Sequence, residues 1–565
     1  MKKVYLTWLF ILILGYCNGQ DLNRTDYIKH NIDSLDRIQF NTLNRKKASD
    51  KSYIIKVSNQ QGFNTIDEQI KKAINGGETN IVVKMGPGIY HFHENHIYLC
   101  DFECENVSIS IQGSNTIITS NNDYYKDENY FSPWHDLRRA DNTIKVIDEK
   151  QNLCFLPYKN TYSPEDKENF KKIQVTQWFR APKYTIDSID EEGVYFIAPG
   201  LQLLKQNGRE GYNVNYDYIY AGKTPRFRLY DKNREQQYEA SCFLRVSNVS
   251  LMSIELKGVN VCGNKEGSSL ISMTSVNSSL IMIRKCTFSE INGQVAGFIK
   301  TDNVVFDENE ISKTTGNELS FTAGCKNVRV TRNFFTNGGN DLGNSMCVRC
   351  CESEYYIGYN FFCDFGYCAV GLGLWYGHEK KYDTRGIVEY NEIYFSQSYY
   401  NQKEKYTLMD AGAIYVCTQN EDAIIRYNYI HDYIGEKDYR GIFCDDGACN
   451  LSIYGNIILN TPNGHSIDSR KAKDQRKGFT NNSNNFMASN VVDGSVRFQG
   501  YGDENRHCRK GANFVLIGHE NTSLQNKFDN LEMLEEDIYI NNIQCRKKIR
   551  SFYRNRNKNL KYNFI

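Results

Sequence analysis

The sequence repeats one short pattern, in which a run of β-branched or aromatic residues ends in asparagine and more apolar residues follow. The pattern occurs as VVFDENEI, VRVTRNFF, YYIGYNFF, GIVEYNEI, AIIRYNYI, LSIYGNII and NFMASNVV. Its asparagines are Asn309, Asn333, Asn360, Asn391, Asn428, Asn456 and Asn490, at spacings of 24, 27, 31, 37, 28 and 34 residues. A period of roughly 20–50 residues that keeps one polar residue in phase is typical of solenoids.

Each repeat alternates apolar and polar residues with the two-residue period of a strand. A buried asparagine that stacks on its equivalent in the next coil can hydrogen-bond along the column, which offsets the cost of burying an amide. The variable spacing fits strands of constant position joined by loops of different length. The sequence therefore predicts an all-β fold, a right-handed parallel β-helix whose loops on one face form the binding surface.

Composition and charge narrow the class of partner. The 68 basic and 67 acidic residues nearly cancel, which argues against nucleic acid or an anionic membrane as a partner held by bulk charge. The 40 tyrosines suit a strand-rich body and a sugar-binding cleft. Beyond the N-terminus no apolar stretch approaches ~20 residues, so no membrane span is predicted. No spacing resembles a zinc motif, so neither a metal nor another cofactor is predicted.

Residues 1–19 have the pattern of an export signal. Lys2 and Lys3 precede an apolar run that ends at Tyr16, and the small Gly19 marks a cleavage site. The sequence therefore predicts a secreted or periplasmic protein. A lipid anchor on Cys17 is disfavoured because Tyr16 stands where a lipoprotein signal has a small residue.

Export permits disulfides, and Cys350–Cys351 and Cys363–Cys368 are candidate local bridges. Most other cysteines lie inside strand patterns, among them Cys286, Cys325 and Cys444. Buried cysteine behaves as a small hydrophobe, so we expect these side chains in the solenoid interior.

The chain divides into five segments. After the signal, 20–124 hold a lead-in, a capping helix and the first coils. The helix is predicted in TIDEQIKKAINGG, with Thr65 as N-cap, Glu68 completing a capping box and Gly76–Gly77 as its end. Residues 125–240 break the period and predict an inserted antiparallel β subdomain. The main β-helix follows at 241–500, and 501–565 form a C-terminal cap.

Aligning the coils on their asparagines predicts which residues stack. Leu319, Met346, Ile414 and Ile442 each precede their asparagine by 14 residues, so we expect them in one column. Asp445 then aligns with Cys417 of the preceding coil.

Two acidic segments, LMDAGAIYV and RGIFCDDGACN, precede consecutive asparagine repeats. Two carboxylates beside an aromatic cleft are what glycosidic hydrolysis requires, so Asp410, Asp445 and Asp446 are the candidate catalytic residues. Because Asp445 and Asp446 are adjacent in an extended chain, only one is expected to enter the cleft. Asp–Gly sequences are also ordinary turn chemistry, which leaves a purely structural interpretation open.

Further side chains are candidates for contact with a substrate. Arginines suit sugar carboxylates or sulfates, a loop tryptophan suits stacking, and His465 with Asp468 is expected one coil above Asp445. The predicted substrate-binding residues are Glu318, Asp341, Arg349, Trp375, His378, Arg440, His465 and Arg470.

The phrases DAGAIY from Asp410, IRYNYIHD, and GIFCDDG from Gly441 resemble exported β-helical glycoside hydrolases of the α-fucosidase/xylanase and β-xylosidase groups. The resemblance covers residues from about 60 to 500 and implies a pectin lyase fold. It implies Asp410 and one aspartate of the Asp445–Asp446 pair as catalytic carboxylates. The chain departs from the pattern at Ala411 and Cys444, which leaves the substrate open.

The sequence therefore predicts an exported glycoside hydrolase that acts on a plant or host polysaccharide. A polysaccharide lyase on the same fold is the first alternative, since Arg349, Arg440, Arg470 and Lys471 offer basic groups for proton abstraction beside a uronate carboxylate. A non-catalytic carbohydrate-binding solenoid is the second.

Overall fold

The protein is a right-handed parallel β-helix, as the asparagine repeat predicted. The computed structural model describes residues 51–120, 240–265, 269–339, 345–373, 384–396, 411–417, 423–433, 440–445, 448, 450–460, 465–470 and 485–499, with shorter parts of 135–231 and 509–540. Within these residues, 33 strands join in one continuous sheet that winds around the solenoid.

The described strands form three parallel ladders, which we call the first, second and third ladder in chain order. Early coils run through two or three ladders without a break, in Ile97–Thr119, Leu244–Asn264 and Ser269–Arg284. The first ladder continues with Gln294–Ile299, Leu319–Thr322, Met346–Cys350, Cys368–Leu372, Gly412–Cys417, Arg440–Asp445, His465–Arg470 and Ser495–Gln499.

The other two ladders complete the coils. The second ladder comprises Tyr53–Val57, Asn80–Met85, Val304–Asp307, Val328–Thr331, Glu354–Gly358, Arg385–Glu389, Ala423–Arg426, Leu451–Tyr454, Phe486–Ala488, Arg509–Lys510 and Glu532–Met533. The third comprises Gly88–His91, Thr287–Ile291, Glu310–Ser312, Phe334–Gly338, Phe361–Phe365, Glu392–Tyr394, Tyr429–His431, Ile457–Leu459, Val491–Val492, Phe514–Leu516 and Ile538–Ile540. Pairing thus continues into 501–565, the segment predicted as a cap.

An antiparallel sheet interrupts the solenoid after its early coils. Leu244 pairs directly with Ile97, so the intervening chain leaves and re-enters between neighbouring coils. Its seven described strands are, in sheet order, His135–Asp136, Arg226–Asp231, Phe170–Val175, Lys183–Ile189, Gly193–Ile197, Leu153–Pro157 and Lys145–Asp148. The predicted inserted β subdomain is confirmed, with a small core of its own around Phe196 and Leu229.

The seven repeat asparagines form the predicted buried column at the corner between the second and third ladders. Each of the first six donates from Nδ2 to Oδ1 of the asparagine in the next coil, at 2.9–3.0 Å. The same Oδ1 also accepts the backbone N–H of the preceding asparagine, at 2.9–3.2 Å. A second bond from Nδ2 reaches a second-ladder carbonyl, for Asn360 that of Val330 at 2.8 Å. Every amide is therefore satisfied along the column.

The residue before each column asparagine makes the corner. All seven have φ between 56° and 66°, the left-handed region, although only Gly455 is a glycine. One left-handed residue turns the chain from the second ladder into the third, and the asparagine side chain bonds across it. Tyr359, Tyr390 and Tyr427 occupy this position in consecutive coils, and their rings stack at 5.0 and 5.4 Å.

Two short helices, Gln60–Asn64 and Ile66–Asn75, lie near the first coil. The second buries Ile66, Ile70 and Ala73, as its periodicity predicted. It ends at Gly76, and Gly77 adopts φ 83°. Of the described helices, none has the length and apolar character needed to cross a membrane.

Thr65 occupies the predicted N-cap position of this helix, but the predicted capping box does not form. The Thr65 side chain makes no cap hydrogen bond and instead donates to the carbonyl of Gly62 at 3.2 Å. The reason is that the preceding helix places its carbonyls within reach of this hydroxyl. Asn59 caps that earlier helix by accepting the N–H of Gly62 at 2.8 Å.

The fourteen described cysteines are all free thiols, and all except Cys100 and Cys104 are buried. The candidate bridges Cys350–Cys351 and Cys363–Cys368 are therefore not formed. Burial raises the pKa of the Cys286 thiol to about 12, which fits the role of a small interior hydrophobe.

Replacing Asn360 with alanine should destabilise the protein strongly. The change removes the acceptor of two donors on Asn333 and the donor to the Val330 carbonyl. Each buried unpaired group costs about 1–3 kcal/mol, so we expect a loss of about 3 kcal/mol or more in the free energy of unfolding. Urea denaturation measures it. Lys326→Ala, at an exposed site, serves as control and should change stability by less than about 0.5 kcal/mol. Equal midpoints for the two variants would contradict the column's structural role.

Candidate functional site

The first ladder separates an inner from an outer face. Its inner column is fully buried and holds Leu319, Val348, Val370, Ile414, Ile442, Ile467 and Val496, one per coil. Since side chains alternate along a strand, the next residue of each strand belongs to the outer face. That outer row is Ser320, Arg349, Gly371, Tyr415, Phe443 and Asp468, spaced by about 4.8 Å per coil.

The register predicted for this ladder is correct for Ile414 and Ile442, which pair directly, and for Cys417 and Asp445. It is wrong for Met346, because Leu319 pairs with Val348. Val348 precedes its asparagine by 12 residues, whereas Leu319, Ile414 and Ile442 precede theirs by 14. A turn shorter by two residues between the first and second ladders therefore shifts this coil.

Of the three candidate catalytic aspartates, Asp445 is the one that the structure describes. It ends the strand Arg440–Asp445 and is partly exposed. Its Oδ2 accepts a hydrogen bond from the Tyr415 hydroxyl of the preceding coil, at 3.1 Å. Tyr415 lies in the quoted DAGAIY phrase, but sequence reasoning did not select it. Alternation from the inward Ile414 was the signal that could have placed it on the outer face.

A fully buried ion pair lies next to this site. Arg440 donates from Nε to Oδ2 of Asp468 in the next coil at 2.7 Å, and neither side chain has exposed surface. The guanidinium carbon lies 4.0 Å from the centre of the Phe443 ring, which adds a cation–π contact. Arg440 therefore holds Asp468 in place, and its burial does not support the predicted contact with a substrate. Asp468 does lie one coil above the strand of Asp445, as expected.

Glu318 is enclosed at the corner between the third and first ladders and has no exposed surface. Its Oε1 accepts from the Thr314 hydroxyl at 2.8 Å, and a side chain at Gly338 would collide with the carboxyl group. Among the described residues Oε2 has no hydrogen-bond partner. Burial raises the pKa of Glu318 to about 8, against opposing hydrogen bonds from Thr314 and Cys347. Because Glu318 has no exposed surface, its position does not support the predicted contact with a substrate. The alternation of apolar residues could not have revealed that this acid is buried.

Arg349 and His465 are partly exposed on the first ladder. Arg349 lies two coils below Tyr415, about 10 Å along the solenoid axis. Arg470 lies on the strand above Asp445 and aligns with Gln499. Glu318 is four coils below Asp445, about 19 Å away, so the structure separates it from this carboxylate.

Several predicted site residues lie outside the described residues. They are Asp341, Trp375, His378, Asp410 and Asp446. Their roles stay predictions.

One solved structure, described as a glycoside hydrolase, matches this chain with a TM-score of 0.52 at 11% identity, over 73% of this chain and 95% of its own. At that identity the likeness shows the shared fold. No protein-family model and no curated protein sequence matches the chain.

Looser matches include a family 28 exopolygalacturonase from Yersinia enterocolitica, with a TM-score of 0.35 at 11% identity over 87% of this chain and 78% of its own. A periplasmic alginate epimerase matches with a TM-score of 0.30 at 9% identity, over 81% and 76%.

Glu318 should make stability depend on pH. Folded Glu318 keeps its proton up to a pKa of about 8, whereas in the unfolded chain it releases the proton near the ordinary glutamate pKa of 4.5. Between these values the folded state binds more protons, so stability falls as pH rises through this window. Glu318→Gln cannot ionise, so its stability relative to the parent should increase from about pH 5 to about pH 8 and then level off.

Thermal unfolding at several pH values measures this difference. Glu310→Gln, at an exposed position of the third ladder, is the matched control and should give a constant difference. A Glu318→Gln difference that stays constant across the same pH range would contradict the buried neutral carboxyl.

The Arg440–Asp468 pair should be costly to break from one side. Asp468→Asn removes the carboxylate charge that the buried Arg440 Nε contacts, and we expect a loss of about 3–5 kcal/mol in the free energy of unfolding. Replacing both with apolar residues, Arg440→Met with Asp468→Leu, should recover most of it. A double-mutant cycle by urea denaturation measures the coupling. The exposed pair Arg385–Glu354 is the control, expected at about 0–1 kcal/mol; equal coupling in both pairs would refute the prediction.

Proposed function

We propose that the protein is a glycoside hydrolase that cleaves a polysaccharide with two carboxylates, one of which is Asp445. The main support for this proposal is the position of Asp445. It is a partly exposed carboxylate at the end of a first-ladder strand, oriented by the Tyr415 hydroxyl. Hydrolysis of a glycosidic bond needs one carboxylic acid to protonate the leaving oxygen and one carboxylate to attack the anomeric carbon or activate water.

The two roles are assigned from chemistry and sequence. A phenol that donates to the carboxylate suits Asp445 to act as base or nucleophile. The resemblance to β-helical hydrolases implies Asp410 as a catalytic carboxylate, and we assign it the role of acid. Asp446 is the alternative to Asp445. Export through residues 1–19 belongs to the same proposal, since polysaccharides are extracellular substrates.

The fold alone does not select the chemistry, because one fold hosts many reactions. The solved structure of similar fold is described as a glycoside hydrolase, which agrees with the proposal. For a lyase, a base must reach the substrate, and the Arg440 side chain is buried against Asp468. Arg349 remains partly exposed, so product chemistry has to separate the two reactions.

Asp445→Asn should lower the rate of hydrolysis by roughly 10²–10⁴-fold while the protein stays folded. The amide keeps the shape of the side chain but can act neither as base nor as nucleophile. The assay incubates purified protein with plant and host polysaccharides and reads new reducing ends together with ultraviolet absorbance. Asp187→Asn, an exposed aspartate of the inserted sheet, is the control and should keep full activity.

The two readouts separate the alternatives. Reducing ends without absorbance, lost in Asp445→Asn, establish a hydrolase at this site. Reducing ends with absorbance identify an unsaturated product and make the protein a lyase. Binding of polysaccharide without either signal identifies a binding solenoid. Full activity in Asp445→Asn removes this residue from the mechanism.

A further inference from the structure

A row of accessible residues runs along the outer face of the first ladder below the candidate site. We call it the polar track, and its members are Tyr98, Arg245, Ser272, Gly297, Ser320 and Arg349. They align one per coil in a continuous register. All six are partly or fully exposed, whereas the residues directly before and after each one are buried. The track is therefore a solvent-facing strip and not part of the core.

The three residues in the middle of the track have small side chains or none. Ser272, Gly297 and Ser320 separate the two arginines over four coil steps, about 19 Å. A side chain at Gly297 would come within 2.6 Å of the Ser269 hydroxyl, which donates to Gln294 Oε1 at 2.6 Å beside the track. Between the two arginines the track thus offers two serine hydroxyl groups and no bulky side chain, a surface on which a polymer can lie.

The two arginines of the track make no ion pair with any described residue. Within the described part of the chain, no carboxylate lies within ion-pair distance of Arg245 or Arg349. Three arginines of the second ladder differ, since Arg284, Arg385 and Arg426 each contact a glutamate at 2.6–3.2 Å. The formal net charge of the chain is only +1, so the attraction of the track for anions is local.

The track leads to the candidate site. Arg349 aligns with Gly371, and Gly371 aligns with Tyr415, whose hydroxyl holds Asp445. Tyr415 is therefore about 10 Å beyond Arg349 on the same row. Gly371 and Tyr415 are buried, so the solvent-facing strip ends at Arg349. A linear chain that lies along it is directed towards Asp445.

We propose that the polar track binds a linear polysaccharide that carries carboxylate groups, that is, uronate residues. Arg245 and Arg349 each hold one carboxylate through the planar fork of the guanidinium, which matches a carboxylate with two parallel hydrogen bonds. Ser272 and Ser320 hydrogen-bond neutral sugar hydroxyls between them, and the exposed Tyr98 ring contacts a sugar at the far end. The proposal rests on the proposed function in that the bound chain is taken to be the substrate.

Affinity electrophoresis of the full-length protein tests the track without requiring turnover. Native gels contain polygalacturonate, alginate or glucuronoxylan as uronate polymers, arabinan as a neutral polymer, and dextran sulfate as a sulfated one. We expect at least one uronate polymer to retard the protein. Arg245→Gln and Arg349→Gln should each weaken that binding roughly tenfold.

Arg385→Gln is the matched control, because it removes the same charge from the second ladder, where the arginine side chain is 48% exposed. It should leave retardation unchanged. Absence of retardation by all three uronate polymers overturns the proposal. So does equal weakening by Arg385→Gln, which reports net charge, or an arginine-dependent preference for dextran sulfate over the uronate polymers.

The outcomes also separate this inference from the proposed function. Arginine-dependent retardation without new reducing ends, under conditions that detect slow turnover, would support binding by the track and refute the proposed hydrolase activity. Hydrolysis of arabinan with the same KM in the parent and in both arginine variants would support the hydrolase activity and refute uronate binding by the track.

Discussion

The hydrogen bond from one buried asparagine to the next fixes the register of the described coils from Asn309 to Asn490. In a parallel ladder a slip of one residue exchanges the inner and outer faces of a strand. The column prevents this once per coil, because each Oδ1 binds both the side chain and the backbone of the preceding asparagine. The outer row of the first ladder, with Arg349 and Tyr415, owes its alignment to this constraint.

The same column supports the unusual backbone at the corners. A non-glycine residue in the left-handed region costs about 1–2 kcal/mol, and six such residues precede the column asparagines. Such strain persists where the surroundings over-determine it, and here the asparagine that follows is bonded to two neighbouring coils. The corner between the second and third ladders is thereby constant, and variation in coil length is left to the other turns. This is why repeats of 24 to 37 residues can share one column.

Sequence reasoning was effective where one residue type repeats in one environment. The asparagines, the inward Ile414 and Ile442 and the buried cysteines follow from periodicity alone. It was ineffective where the length of a turn or the pairing of a charged group determines the position of a side chain. Met346 was misplaced because its coil has a shorter turn, and Glu318 was assigned to a substrate although it is buried beside Thr314. No pattern in the sequence distinguishes an acid that faces a cleft from one that is enclosed at a corner.

Arg440 and Arg349 show why the environment of a charge matters more than its presence. Both project from strands of the first ladder, and sequence reasoning gave both the same role. Arg440 is buried against Asp468 and Phe443, so its charge pairs with a carboxylate of the neighbouring coil. Arg349 has small neighbours, Ser320 below and Gly371 above, and no carboxylate within ion-pair distance among the described residues. A partly exposed guanidinium that no described carboxylate neutralises is available to an anionic ligand. Because equivalent positions recur every ~4.8 Å along the axis, such a ligand is recognised best when it is itself a repeating chain that runs in that direction.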